Sequence, residues 1–69
     1  MKLSARNLIP ARVTGINYGE AIANVELEAC GTRLVSSITV EAAKQLGLAE
    51  GKEVTIVVKA SDLILATDD

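Results

Sequence analysis

Three short stretches of this 69-residue chain concentrate hydrogen-bond donors where secondary structure is predicted to begin or end. Residues 4–7, "SARN", offer a hydroxyl, a guanidinium and an amide before the first strand. Residues 36–39, "SSIT", run into the start of a short helix, where free amides and the helix dipole favour negative charge. Residues 59–61, "KAS", place a lysine and a hydroxyl directly after an apolar strand. Together they form a donor set suited to a small tetrahedral oxyanion.

Each stretch also has an ordinary structural explanation. Residues 4–7 could form a solvated loop, and Arg6 could pair with a carboxylate across a subunit interface. Thr39 could act only as a helix N-cap. Lys59 could be a solvated charge that protects the end of a strand from aggregation. The occurrence of three donor clusters in one small chain favours the anion-binding interpretation.

The residue types that enzymes need are scarce. The chain has no histidine and one cysteine, Cys30, so it offers neither a histidine general base nor a Cys–His pair. One cysteine cannot build a zinc site, and the five glycines are too scattered for a phosphate loop. Glu41 and Asp62 are interpreted as surface charges. We expect a non-catalytic protein without direct protein ligands to a metal.

Composition argues against several classes of partner. Single-strand nucleic-acid binders combine a basic groove with aromatic platforms, but this chain has a net charge of −2 and one aromatic residue, Tyr18. The same charge argues against broad attraction to a membrane surface. No signal-peptide core or membrane-spanning stretch is present in the sequence. We therefore expect a cytoplasmic protein that binds neither nucleic acid nor membranes.

Chain length and apolar content predict an oligomer. Domains of this size bury a limited fraction of their surface and usually need disulfides, a metal or partner subunits. A disulfide within the chain is excluded by the single cysteine. Apolar residues make up 49% of the sequence and are almost entirely aliphatic. Other copies of the chain are expected to cover part of this surface.

The hydropathy pattern predicts one all-β domain over residues 1–69 with one short helix. Residues 20–29 alternate between an apolar and a polar face, which is typical of a half-buried strand. A helix over 40–46 is expected to begin at Thr39 and to end at Gly47. Five short strands with this helix between the third and fourth predict an OB-like five-stranded small barrel. The predicted strands are residues 12–17, 20–29, 32–38, 53–59 and 63–67.

Four fragments of the sequence resemble the molbindin (Mop) family of TOBE-type domains. They are "SARN" near the start, "SIT" before the helix, "LGLAEGKEV" after it and "VVKAS" near the end. The fragments keep the order and approximate spacing of the family across residues 2–66. The resemblance implies intracellular storage and homeostasis of molybdate or tungstate. It also implies a homo-oligomer, expected to be a hexamer built as a trimer of dimers, with oxyanion sites between subunits.

The resemblance also implies roles for individual residues. Arg6 would reach across an interface as a charged clamp, and Lys59 would supply a second positive charge. Thr39 and the amides that begin the helix would supply short-range donors. Ser4 and Asn7 would either line a second oxyanion site near a symmetry axis or hold the N-terminal arm in place. The implied oxyanion-binding residues are Arg6, Thr39, Val40, Ala42, Lys59, Ala60 and Ser61.

One position departs from the family pattern, and one alternative function stays open. Many relatives carry a serine where this chain has Ala42, and loss of that hydroxyl could weaken the site by about 1–3 kcal/mol. Ser37, Ser61 or a water molecule could replace it. The alternative is an oligomerisation or sensing module that acts through a protein partner in molybdate transport or regulation.

Overall fold

A computed structural model of the chain describes residues 3–68; Met1, Lys2 and Asp69 of the predicted domain lie outside this range. The elements are β1 (Asn7–Tyr18), β2 (Ile22–Ala29), β3 (Thr32–Thr39), α1 (Val40–Gln45), β4 (Glu53–Val58) and a 3-10 helix (Ala60–Asp62). The four strands form one antiparallel sheet in the order β3-β2-β1-β4. A mostly β fold with one short helix is confirmed.

The alternation predicted for the second strand positions the core. Apolar side chains at every second position of β2, from Ala23 to Ala29, are buried, and the acidic residues Glu26 and Glu28 lie on the other face. Ala21, within the predicted strand 20–29, is exposed and lies before β2, which begins at Ile22. The buried cluster is completed from β1 by Ala11 and Val13.

Strand β1 is much longer than the predicted 12–17 because it serves two partners. Residues 7–12 pair with β4, and residues 12–18 pair with β2. The register shifts between Val13 and Gly15, within the part of β1 that pairs with β2. A Cβ at Gly15 would approach the Glu26 side-chain oxygen Oε2 to 3.2 Å, so a larger residue there would require the Glu26 side chain to move.

The fifth predicted strand is wrong for the single chain. Residues 63–68 form no strand, and the sheet is not closed into a barrel within the part of the chain that the structure describes. After β4 the chain enters the 3-10 helix, in which the Asp62 amide donates to the Lys59 carbonyl at 2.9 Å. An apolar sequence indicates a strand, but a strand also requires hydrogen bonds to the backbone of a neighbouring strand.

Helix α1 matches the predicted 40–46 within one residue. The Thr39 hydroxyl caps its start by accepting a hydrogen bond from the Ala42 amide at 3.0 Å. Gly47, with a φ of 64°, turns the chain out of the helix in the left-handed region that glycine tolerates. The Lys52 ammonium then donates to the carbonyls of Leu46 at 2.6 Å and Gly47 at 3.3 Å.

We expect Lys52→Met to lower the free energy of unfolding by about 1 kcal/mol, because it removes a cation from the terminal carbonyls of a helix. Urea denaturation followed by circular dichroism measures this change. Lys44→Met, which removes a lysine from the last turn of the same helix, is the matched control and should cost less. Equal losses in the two variants would contradict the capping role of Lys52.

Candidate functional site

Two of the three predicted donor clusters meet at one end of the β1–β4 pair. Asn7, the first residue of β1, pairs with Val58, the last residue of β4. Arg6 directly precedes this pair and Lys59 directly follows it, and both are exposed. Neither Arg6 nor Lys59 forms an ion pair within residues 3–68. We call this region, residues 4–7 together with 59–61, the basic end of the sheet.

A side-chain contact fixes the two halves of the basic end to each other. The Asn7 amide nitrogen Nδ2 donates to the Val58 carbonyl at 3.1 Å, and this contact is partly buried. Of the two predicted roles of Asn7, this contact favours holding the arm in place. Ser4 lies on the exposed segment before β1 and has no such contact among the described residues.

The segment after β4 presents several donors close together. The Lys59 carbonyl accepts the first hydrogen bond of the 3-10 helix, so the amides of Ala60 and Ser61 precede the first intrahelical donor. All three residues of the segment are exposed. Lys59, Ala60 and Ser61 therefore offer an ammonium, two amides and a hydroxyl over three consecutive positions.

The third cluster, at the start of α1, has fewer available donors than the sequence suggests. The Val40 amide, predicted to serve the anion, donates to the Ala21 carbonyl at 2.8 Å. The Ala42 amide is used by the Thr39 cap at 3.0 Å. The Thr39 hydroxyl accepts in that bond, so its own proton is still able to donate to a ligand. The Glu41 amide is the other first-turn donor, and sequence reasoning did not single it out.

The basic end and Thr39 lie at opposite ends of the sheet. Tyr18, at the far end of β1, pairs with Ala23, and the neighbouring Ile22 pairs with Thr39. The 12 residues of β1 separate these ends by a distance on the order of 30 Å at the usual rise of a strand. No side chain bridges such a gap. One chain therefore cannot place Arg6, Lys59 and Thr39 on the same small anion.

Three further observations concern the rest of the described residues. No group of three or more metal-ligating side chains lies together in residues 3–68. Arg33, in contrast to Arg6, is held by Glu26 through both an ion pair and a bond from Nε at 3.0 Å. Within the same range, no helix has the length and apolar character needed to cross a membrane.

Comparison with known proteins identifies the family. Residues 3–65 match the model of the TOBE domain. Molybdenum-pterin-binding protein 2 of Clostridium pasteurianum is 39% identical over 66 residues, which cover 94% of this chain and 97% of that protein. The chain belongs to the molbindin (Mop) family of TOBE domains. The similarity extends over nearly the full length of both molbindin chains.

Solved structures agree with this assignment to the molbindin family. A molybdate-binding protein from Sporomusa ovata has a TM-score of 0.93 and 36% identity, covering 97% of this chain and all of that chain. The cytoplasmic molybdate-binding protein ModG, determined with molybdate bound, has a TM-score of 0.83 and 43% identity. That match covers 87% of this chain and 43% of ModG. The names of these three relatives describe proteins that bind a molybdenum pterin or molybdate.

The dual use of the Thr39 hydroxyl in this molbindin gives a testable prediction about stability. Thr39→Val removes the cap and should lower the free energy of unfolding by about 1 kcal/mol. Thr39→Ser keeps a hydroxyl on the same atom position and should retain most of that stability. Chemical denaturation without added anion measures both variants. A Thr39→Val variant as stable as the parent chain would show that the cap contributes nothing.

Proposed function

We propose that this chain binds molybdate, or the chemically similar tungstate, without catalysis, at sites formed between subunits of a homo-oligomer. Its role is storage and homeostasis of the oxyanion in the cytoplasm. The observation that carries this proposal is the separation of the donors into two groups at opposite ends of β1. A small anion contacts both groups only when two copies of the chain meet.

The basic end supplies the charge that a tetrahedral dianion requires. Arg6 and Lys59 flank the Asn7–Val58 register pair, and neither forms an ion pair with a carboxylate within the described residues. Hydrogen bonds from charged donors to an anion are roughly twice as strong as neutral ones. The amides of Ala60 and Ser61, with the Ser61 hydroxyl, add neutral donors in the same segment. An acidic chain can thereby hold an anion locally.

A second copy is proposed to supply the remaining donors. Its Thr39 hydroxyl can donate to the anion while it accepts from its own helix. Burial between two subunits removes water from the donors and strengthens each bond. The methyl side chain of Ala42 offers no donor, so Ser61 or Ser37 is proposed to replace the serine that many relatives carry. We propose a hexamer, a trimer of dimers, as the assembly.

The ligand proposed is the free oxyanion. One relative is named for molybdenum pterin, whereas the S. ovata protein and ModG are named for molybdate. A pterin ring is usually held by stacking and by apolar contact. Tyr18, the one aromatic residue of the sequence, lies at the opposite end of β1 from Arg6 and Lys59. Donors without a stacking surface suit an oxyanion better.

Substitution of the two cations tests the site. Arg6→Ala and Lys59→Ala should each weaken molybdate binding by about tenfold or more, because each removes a charge-assisted hydrogen bond. Isothermal titration calorimetry measures the affinity. Arg12→Ala is the matched control, since Arg12 is an exposed cation on β1, outside the basic end, and pairs in register with Glu53. Unchanged affinity in both site variants would overturn the assignment.

Native mass spectrometry of the anion-stripped protein tests the link between assembly and ligand. We expect a hexamer that gains several molybdate masses and gains none with sulfate, the matched tetrahedral control. Ligand binding to the assembled state should also stabilise it in proportion to molybdate concentration. A hexamer indifferent to molybdate would instead favour an oligomerisation or sensing module that acts through a protein partner.

A further inference from the structure

The surface depression in which Thr39 lies also carries two carboxylates. It is formed between helix α1 and the turn that joins β1 to β2, and it is lined by Glu20 of the turn and Glu41 of the helix. Both glutamates are exposed, and neither forms an ion pair within residues 3–68. We call Glu20 and Glu41 the acidic pair. Two negative charges thus lie in the depression that is proposed to receive a dianion.

The lysine that lines the same depression does not neutralise the acidic pair. Lys44 lies in the last turn of α1, three residues after Glu41. Side chains three residues apart on a helix are neighbours and can form an ion pair. Lys44 nevertheless forms no ion pair with either glutamate in the described part of the chain. The depression therefore keeps two carboxylates against one ammonium.

The basic end carries the opposite charge, and its cations also lack a counter-charge in their own chain. Arg6 and Lys59 are exposed and form no ion pair among the described residues. Asp62, the carboxylate nearest to Lys59 in the sequence, pairs with neither of them within that range. Two cations enclosed together at a subunit junction repel each other and lose water, which is unfavourable unless a negative charge faces them.

We propose that Glu20 and Glu41 of one copy neutralise Arg6 and Lys59 of the facing copy when no anion is bound, and that molybdate binds by displacing these carboxylates. This inference rests on the proposed function, from which it takes the junction between the basic end and Thr39. The acidic pair lines the same depression as Thr39. Cations that reach an anion at the Thr39 hydroxyl therefore approach the acidic pair as well.

The acidic pair has two opposite effects in such an assembly. It stabilises the anion-free state, because it supplies the counter-charge of Arg6 and Lys59. It also lowers the affinity for the oxyanion, because the anion must displace the carboxylates and then lies near like charges. The two glutamates thereby set the molybdate concentration at which the sites fill, and they take the place of the anion when it leaves.

Neutral variants of the same shape test the effect on affinity. Glu20→Gln and Glu41→Gln should each raise the molybdate affinity about threefold or more, measured by isothermal titration calorimetry at low ionic strength. The matched control, Glu50→Gln, removes the same charge at an exposed position outside the depression and should leave the affinity unchanged. An unchanged or lowered affinity in both acidic-pair variants would overturn the proposal.

A double-mutant cycle on anion-free protein tests the pairing without molybdate. One arm neutralises the acidic pair and the other neutralises the two cations: Glu20→Gln with Glu41→Gln, and Arg6→Gln with Lys59→Gln. Loss of Glu41 from the first turn of α1 also weakens the helix itself, so the quantity that decides is the coupling between the arms and not either shift alone. The urea midpoint of the fourfold variant should lie above the value obtained by adding the two shifts.

Coupling in this cycle reports a contact between copies, because the two groups lie at opposite ends of β1 within one chain. A control cycle replaces the acidic-pair arm by Glu50→Gln with Glu53→Gln, two exposed carboxylates outside the depression, and its shifts should add. Shifts that add equally in both cycles would overturn the proposal.

The two tests separate this inference from the function on which it rests. If the parent chain binds no molybdate, the proposed function fails, and the anion-free cycle still decides whether the acidic pair meets the basic end. If the parent chain binds molybdate, additive shifts together with unchanged affinity in the glutamine variants overturn the role of the acidic pair alone.

Discussion

The pairing of β1 with two different strands is the constraint on which the rest of the structure depends. Its first half pairs with β4 and its second half with β2, so the strand must be long, and its register with β2 shifts between Val13 and Gly15. The same length carries the start of β1 far from the helix end of the sheet. The separation of the hydrogen-bond donors into two groups therefore follows from the length of β1.

Small side chains dominate the buried core, so one chain gains little stability from its own core and partner subunits would add to it. Among the described residues, the buried apolar set contains four alanines, two valines and one leucine. Alanine contributes little apolar area, so burial within one chain gives a modest driving force for folding. Larger aliphatic side chains, such as Ile22, Val35 and Ile64, stay half or more exposed. Their burial between copies of the chain would add the apolar buried area that the core of one chain lacks.

The sequence by itself determined the elements that local chemistry controls. The alternation of β2, the Thr39 cap and the Gly47 stop follow from side-chain period, a hydroxyl at the right position and the freedom of glycine. The four fragments that resemble the molbindin family also sufficed to indicate the family. These features depend on neighbours within a few residues, so they can be predicted from the amino-acid sequence.

Only the tertiary structure decided what depends on distant partners. The amide of Val40 is used by Ala21, and Asn7 is tied to Val58, contacts that no local pattern specifies. Residues 63–67 have the composition of a strand, yet they form none in this chain. The opposite placement of Arg6 and Thr39 likewise follows from strand pairing. Pairing over long sequence separations is a property of the fold, and it decides which donors can share a ligand.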